Sequence, residues 1–249
     1  MRTSTTVTAA ALVIGDEILS GRTRDKNIGT IAGHLNEIGI ALREVRVVAD
    51  DEQAIVEAVN ELRARYTYVF TTGGIGPTHD DITADAVAKA FGVPIDIDPR
   101  AVALMRPAYE KRGLELNEAR LRMARIPAGA ELVANSVSIA PGFRIANVIV
   151  MAGVPAIMEV MLRDATKQLR TGPKMNAVTI RVERPEADIA DLFREHQALY
   201  PDVVMGSYPS FNDGRYSADL VLRSPDPTRL AHAAESLTAR LREKGLLGA

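Results

Sequence analysis

The chain contains no cysteine and no tryptophan among its 249 residues, and aromatic side chains make up only 4% of it. Without thiols there is no disulfide, no thiolate nucleophile and no cysteine-ligated zinc or iron–sulfur centre. An excess of one charge is also missing. Thirty Lys and Arg against 32 Asp and Glu leave a formal net charge of −2, which offers no broad attraction to nucleic acid or anionic lipid. The apolar run Ala9 to Ile14 is too short for a signal-peptide core and far too short to span a bilayer. A cytoplasmic protein with no membrane partner is therefore expected. The four histidines are scattered, with no His-x-His or His-Glu-x-x-His spacing, and no serine sits in a nucleophile elbow.

What is present is an alternation of apolar strands and amphipathic helices. A strand over Val7 to Ile14 precedes a helix with Ile28, Ile31, Leu35 and Ile38 on one face. Ala41 to Val48 alternates as a strand, Ile55, Val56, Val59 and Leu62 mark a helix, and Tyr66 to Thr72 reads as the next strand. This βαβα order implies a parallel sheet covered by helices. Asp98-Pro99 reads as the N-cap and first residue of a helix running to about Arg112. A short helical stretch is expected from Asn117 to near Pro127, then a strand over Asn147 to Met151. From Pro155 a helix is expected with Ile157, Val160, Met161 and Leu169 inward.

Thr171-Gly172-Pro173 marks a boundary, giving domains at 1–171 and 174–249. Beyond it a strand, helix, strand, strand, helix order predicts a small α+β unit, with Asn212-Asp213-Gly214 as a hairpin turn. Its charges are balanced, it has no Gly-x-x-Gly clamp, and its aromatics are not interleaved with basic residues, so RNA is not the expected partner. No repeat or low-complexity segment occurs.

The most informative run is Thr71-Thr72-Gly73-Gly74-Ile75-Gly76-Pro77-Thr78-His79-Asp80-Asp81-Ile82-Thr83. It lies between an apolar strand and an alanine-rich helix stopped by Gly92 and Pro94. A strand, a glycine-rich turn and a helix start form a phosphate cradle, because free N–H groups and the macrodipole favour an anion there. It is neither a P-loop nor a dinucleotide fingerprint. Adjacent carboxylates would repel a phosphate unless a divalent cation such as Mg²⁺ lay between them. Acids follow three strands: Asp16 and Glu17, Asp50 and Asp51, Asp80 and Asp81. Any one pair is explained by helix capping. Three together at strand ends, beside a glycine-rich turn, favour a metal or substrate site. Gly153-Val154-Pro155 offers a second helix start that could face an anion.

The signature from Gly73 to Thr83 resembles the molybdopterin-binding (MoaB/Mog-like) domain. More narrowly it resembles the N-terminal region of CinA, the competence/damage-inducible protein, and the related domain of some FAD synthases. Gly15-Asp16-Glu17-Ile18-Leu19 with Gly21 and Asn27, Asp50, and Ala140-Pro141-Gly142-Phe143 follow in the family's order. From Met175 onward the chain is similar to the small KH-like domain of CinA, including Gly206-Ser207-Tyr208-Pro209. The chain ends without the amidase domain of longer CinA proteins, so that activity is not expected.

The resemblance implies an α/β three-layer sandwich with a mostly parallel sheet, followed by the KH-like α+β domain, in a homo-oligomer. For CinA-type members it implies metal-dependent cleavage of a nucleotide pyrophosphate such as ADP-ribose. For Mog-type members it implies handling of molybdopterin. In this reading Gly73, Gly74, Gly76, Pro77, Thr78, Asp80, Thr83, Gly15 and Asn27 bind the nucleotide or pterin phosphate. Asp16, Asp50 and Asp81 hold the metal or the attacking water. Two departures stand out. Ile157 replaces the glutamate usual in CinA-like chains, with Glu159 displaced along the helix, and Ser138-Ile139 replaces the usual Gly-Thr. Loss of that glutamate keeps a non-catalytic nucleotide-binding module among the expectations.

Overall fold

The computed structural model describes residues 6–247. They divide into two units between Gly172 and Pro173.

The first unit is built around β1 (Thr8–Ile14), whose sequence TAAALVI is buried along nearly its whole length. Its neighbours are β2 (Ala41–Val48) and β3 (Tyr68–Thr72), both parallel to it, with Leu12 opposite Arg46 on one side and Thr71 on the other. Successive side chains of a strand point to opposite faces, and the two halves of the core follow that alternation. Ala10, Leu12 and Ile14 pack with Ile55, Val59 and Leu62 of α3 (Glu52–Arg65) and with Ala86 and Val87 of α4 (Thr83–Phe91). Ala9 and Ala11 pack with Ile31 and Leu35 of α2 (Asn27–Glu37) and with Met158, Met161 and Leu162 of α7 (Pro155–Thr166). Helices therefore cover both faces, in three layers. The short α1 (Asp16–Leu19) lies between β1 and α2.

The six-stranded sheet has the order β2-β1-β3-β8-β7-β6, where β6 is Glu131–Val133, β7 is Gly142–Ile145 and β8 is Val148–Met151. The pairs from β2 to β8 are parallel, and β7 and β6 add an antiparallel edge. Between β1 and β3 the strand order reverses. In open parallel sheets, ligands bind in the crevice outside the carboxyl ends of the strands at such a switch point.

Several local features follow from capping. Asp51 accepts the Ala54 N–H at the start of α3, and Asp98 accepts the Arg100 N–H at the start of α5 (Pro99–Lys111). Gly92 ends α4 in the left-handed conformation. The helical stretch expected from Asn117 to near Pro127 is corrected. Helix α6 (Glu118–Leu121) gives way to a 3₁₀ turn (Arg122–Ala124) and to β5 (Arg125–Pro127), which pairs with β4 (Ile95–Ile97). Pairing across some thirty residues overrides the local helical pattern. The strand expected from Tyr66 begins at Tyr68, since Tyr66 is the C-cap of α3, and α7 ends before Leu169.

The second unit contains β9 (Asn176–Val182), α8 (Ala190–Leu199), β10 (Val204–Asn212), β11 (Arg215–Ser224) and α9 (Pro227–Glu243), with an antiparallel sheet in the order β10-β11-β9. A 3₁₀ turn (Glu186–Asp188) precedes α8. Asp213 and Gly214, with φ of 51° and 77°, form the two-residue hairpin turn, as expected where both central residues must take positive φ. Leu220 and Leu222 pack with Leu230, Leu237 and Leu241. Among the described residues no helix is long and apolar enough to cross a membrane.

Candidate functional site

A cleft of about 560 Å³ opens at the carboxyl ends of β1, β3 and β8. Each strand delivers a glycine to it: Gly15 after β1, Gly73 after β3 and Gly153 after β8. Gly73 accepts no side chain, and Gly15 accepts one only if the flexible Glu17 carboxylate moves aside. A Cβ on Gly73, whose φ is +105°, would stand 2.1 Å from the Ile14 carbonyl oxygen. A Cβ on Gly15 would stand 2.5 Å from the Glu17 carboxylate. Gly73 N–H bonds the Met151 carbonyl at 3.2 Å and Gly15 N–H bonds the Val48 carbonyl at 3.1 Å. The floor of the cleft is thus main chain, locked to the sheet.

The glycine-rich turn forms one wall, with Gly74, Gly76, Pro77, Asp80 and Asp81 lining the cleft. Asp81 holds this turn together. Its Oδ2 accepts the Thr78 N–H at 2.8 Å and the Thr78 hydroxyl as well. Thr83 begins α4 and is buried. It donates its N–H to the Gly74 carbonyl at 2.9 Å. Helix α4 carries no side-chain cap, nor does α7, whose start at Val154 and Pro155 forms the opposite rim. Unlike α3 and α5, neither helix is capped by an aspartate, although the Thr83 N–H is taken by Gly74 and Pro155 has no N–H to offer.

Asp50 lines the cleft, and its Oδ2 accepts the Asp16 backbone N–H at 3.0 Å. Asp16 thus meets Asp50 through main chain, and it is Glu17, not Asp16, whose residue lines the cleft. Asn27 is buried behind the rim, where its Nδ2 donates to the Gly153 carbonyl at 2.8 Å. Thr78, Thr83 and Asn27 therefore shape the walls, while Gly15, Gly73, Gly74, Gly76, Pro77, Asp50, Asp80 and Asp81 line the space. His79 is exposed.

Among the described residues no three His, Asp or Glu side chains are gathered as a metal cage. The lining acids Glu17, Asp50, Asp80 and Asp81 still fit Mg²⁺, which is commonly held by one or two carboxylates together with substrate phosphates.

Ile157 lines the cleft beside Ala152, Val154 and Met161. Glu159 is paired with Arg163 at 2.9 Å and does not take its place. Met123 and Thr23 also line the cleft. Neither was legible in the sequence: Met123 lies on the 3₁₀ turn that β4–β5 pairing carries to the glycine-rich wall, and nothing local marks it.

A family model described as a probable molybdopterin binding domain matches residues 10–171. A second, described as the middle domain of FAD synthase, matches residues 174–248. A protein of Pyrobaculum arsenaticum is 36% identical over 205 residues, covering 79% of this chain and 77% of that one. A protein of Pyrobaculum aerophilum is 38% identical over 208 residues, covering 80% and 78%. The crystal structure of CinA from Thermoplasma acidophilum, described as of unknown function, is 35% identical with a TM-score of 0.59, and covers 65% of this chain and 96% of that one. With its switch-point cleft, its glycine-rich turn and this match over most of its length, the chain belongs to the probable molybdopterin-binding domain family, with a fold of the MoaB–CinA kind.

Proposed function

We propose that the protein hydrolyses a nucleotide phosphoanhydride, with ADP-ribose as the representative substrate, in a metal-dependent reaction. The observation that carries this reading is the pairing of a main-chain anion cradle with the carboxylates Asp50, Asp80 and Asp81 on one cleft. An acyl or redox reaction would not need that combination, whereas phosphoanhydride cleavage needs both halves of it.

In this reading Gly74 and Gly76 receive phosphate oxygens with backbone N–H groups, Gly73 lets the main chain come close, and Thr78 and Asp81 hold the turn in shape. Asp50 and Asp81 would hold a divalent cation, which would supply positive charge to offset that of the phosphates. Asp16 acts through its N–H, which orients Asp50. Water attacks one phosphorus, the bridging P–O bond breaks, and AMP and ribose 5-phosphate leave as monoesters while a cleft carboxylate takes the water's proton.

The test is AMP release from ADP-ribose, with FAD in parallel, in the presence of Mg²⁺, Mn²⁺ or Co²⁺. Asp81→Asn keeps an acceptor oxygen for the Thr78 N–H, so the fold and AMP binding are retained while turnover falls by about 10²-fold or more. Full activity in that variant removes Asp81 from the reaction.

A second reading is a pterin phosphate bound without turnover. Ile157, Ala152, Val154 and Met161 support it by giving the cleft an apolar wall suited to a flat ring. It predicts copurified pterin fluorescence and no AMP from either nucleotide.

A further inference from the structure

The acids of the cleft outnumber its bases, and an anionic ligand needs a cation beside the glycine-rich turn. Two arginines reach the back of that turn. They line a cavity of about 20 Å³ together with Gly74, Gly76 and Asp81, residues that also line the main cleft. Their surroundings differ. Arg125 is spent on Asp85, which it grips with both terminal nitrogens at 2.7 and 2.8 Å. Among the described residues Arg122 pairs with no carboxylate. Its one bond is long, 3.4 Å from Nη2 to the Asp81 carbonyl oxygen, and its Nε is buried without a partner.

A guanidinium is always charged and carries five donors in a planar fork. A buried donor without an acceptor is costly, so the Nε of Arg122 calls for one. The cavity itself has room for about one water and none for a phosphate. A water there can meet Nε but leaves the guanidinium's charge without a counter-anion, and the wall shared with the cleft at Gly74 and Gly76 is where an anion would meet it.

We propose that Arg122 is the residue that anchors the ligand's phosphoryl group, turning from the Asp81 carbonyl to a phosphoryl oxygen held against Gly74 and Gly76. The inference rests on the reading of the cleft as an anion site, and applies to a nucleotide or a pterin phosphate alike. Its rival is that Arg122 only tethers the turn through Asp81. A tether would affect every ligand of the cleft equally; an anchor acts on the phosphoryl group alone.

The experiment compares AMP with adenosine, and adds inorganic pyrophosphate with Mg²⁺, by calorimetry on the full chain. The wild type is expected to bind AMP more tightly than adenosine. Arg122→Gln should weaken AMP at least tenfold and leave adenosine unchanged, with Arg122→Lys in between. Arg125→Ala should lower the Tm by breaking the Asp85 pair while keeping the AMP-to-adenosine ratio. Equal losses for AMP and adenosine, or no loss, would overturn the proposal, as would a wild type that fails to distinguish them. If nucleotides do not bind but pyrophosphate does, in an Arg122-dependent way, the nucleotide reading falls and the anchor stands. No binding of AMP or pyrophosphate by the wild type overturns both.

Discussion

The Thr83 hydroxyl occupies the space a side chain on Gly74 would need: a Cβ built there lies 2.1 Å from Thr83 Oγ1. The same two residues are joined by the Thr83 N–H to Gly74 carbonyl bond at 2.9 Å. The helix start and the glycine-rich turn are thus one unit, and among the described residues Thr83 has no partner for its buried hydroxyl. This explains why a threonine at the first residue of α4 matters to the site without touching the cleft.

Gly74→Ala should therefore destabilise the protein for two separable reasons. Gly74 has φ of +66°, which costs an alanine roughly 1–3 kcal/mol where the surroundings fix it, and the Cβ meets Thr83. At about 2–4 °C per kcal/mol for a chain of this size, thermal melting resolves the loss. Combining it with Thr83→Ala removes the steric part, so the double variant should melt above the sum of the two single losses. Strict additivity would show that the two side chains do not compete for one space.

Ile157 stands on the cleft where CinA-like chains usually carry glutamate. Ile157→Glu adds a carboxylate to the rim at the uncapped start of α7, where the macrodipole favours it. Metal-dependent AMP release should rise at least several-fold, with little change in Tm because the position is only partly buried. No gain in hydrolysis would show that the isoleucine does not limit turnover and would favour the pterin reading.

His196 makes the second unit sensitive to acid. It is fully buried, Nε2 donates to the Ala233 carbonyl at 2.9 Å, and Nδ1 has no partner. Burial holds its pKa below 6.5, with the Ala233 bond opposing and Arg240 adding to the shift. Above pH 6.5 the ring is neutral in both states and its contribution is complete. As the pH falls below 6.5 the unfolded chain takes up a proton that the folded chain does not, so stability is lost until the lowered folded pKa is reached. Urea midpoints of the full chain should fall over that window, and His196→Phe should flatten the fall. His34, also shifted downward by burial first and then by Arg163, belongs to the first unit, so a signal from Tyr200 separates the two. An unchanged pH profile in His196→Phe would assign the acid sensitivity elsewhere.

Much of the site was legible because its chemistry is local. The run from Gly73 to Thr83 names its own turn, helix start and carboxylates, and the apolar spacing of β1, β2, α3 and β3 names the strands that carry it. Short elements were not legible. β4, β5 and β6 have three residues each, too few to show a period, and they exist only because a partner strand satisfies their backbone.

By itself the sequence determined the layered α/β core, through the alternation of Ala9, Ala10, Ala11 and Leu12 and the amphipathic helices that match it. It determined the glycine-rich turn as well, since only glycine tolerates the contacts of Gly73 and Gly74. Tertiary structure decided which side chains share the cleft. It turned Asp16 to its backbone and brought Glu17 forward, sent Asn27 behind the rim, and carried Met123 and Arg122 across from a distant segment. The physical reason is range: a turn is set by the torsions of a few neighbours, whereas a cleft is set by strand order, which no stretch of chain specifies alone.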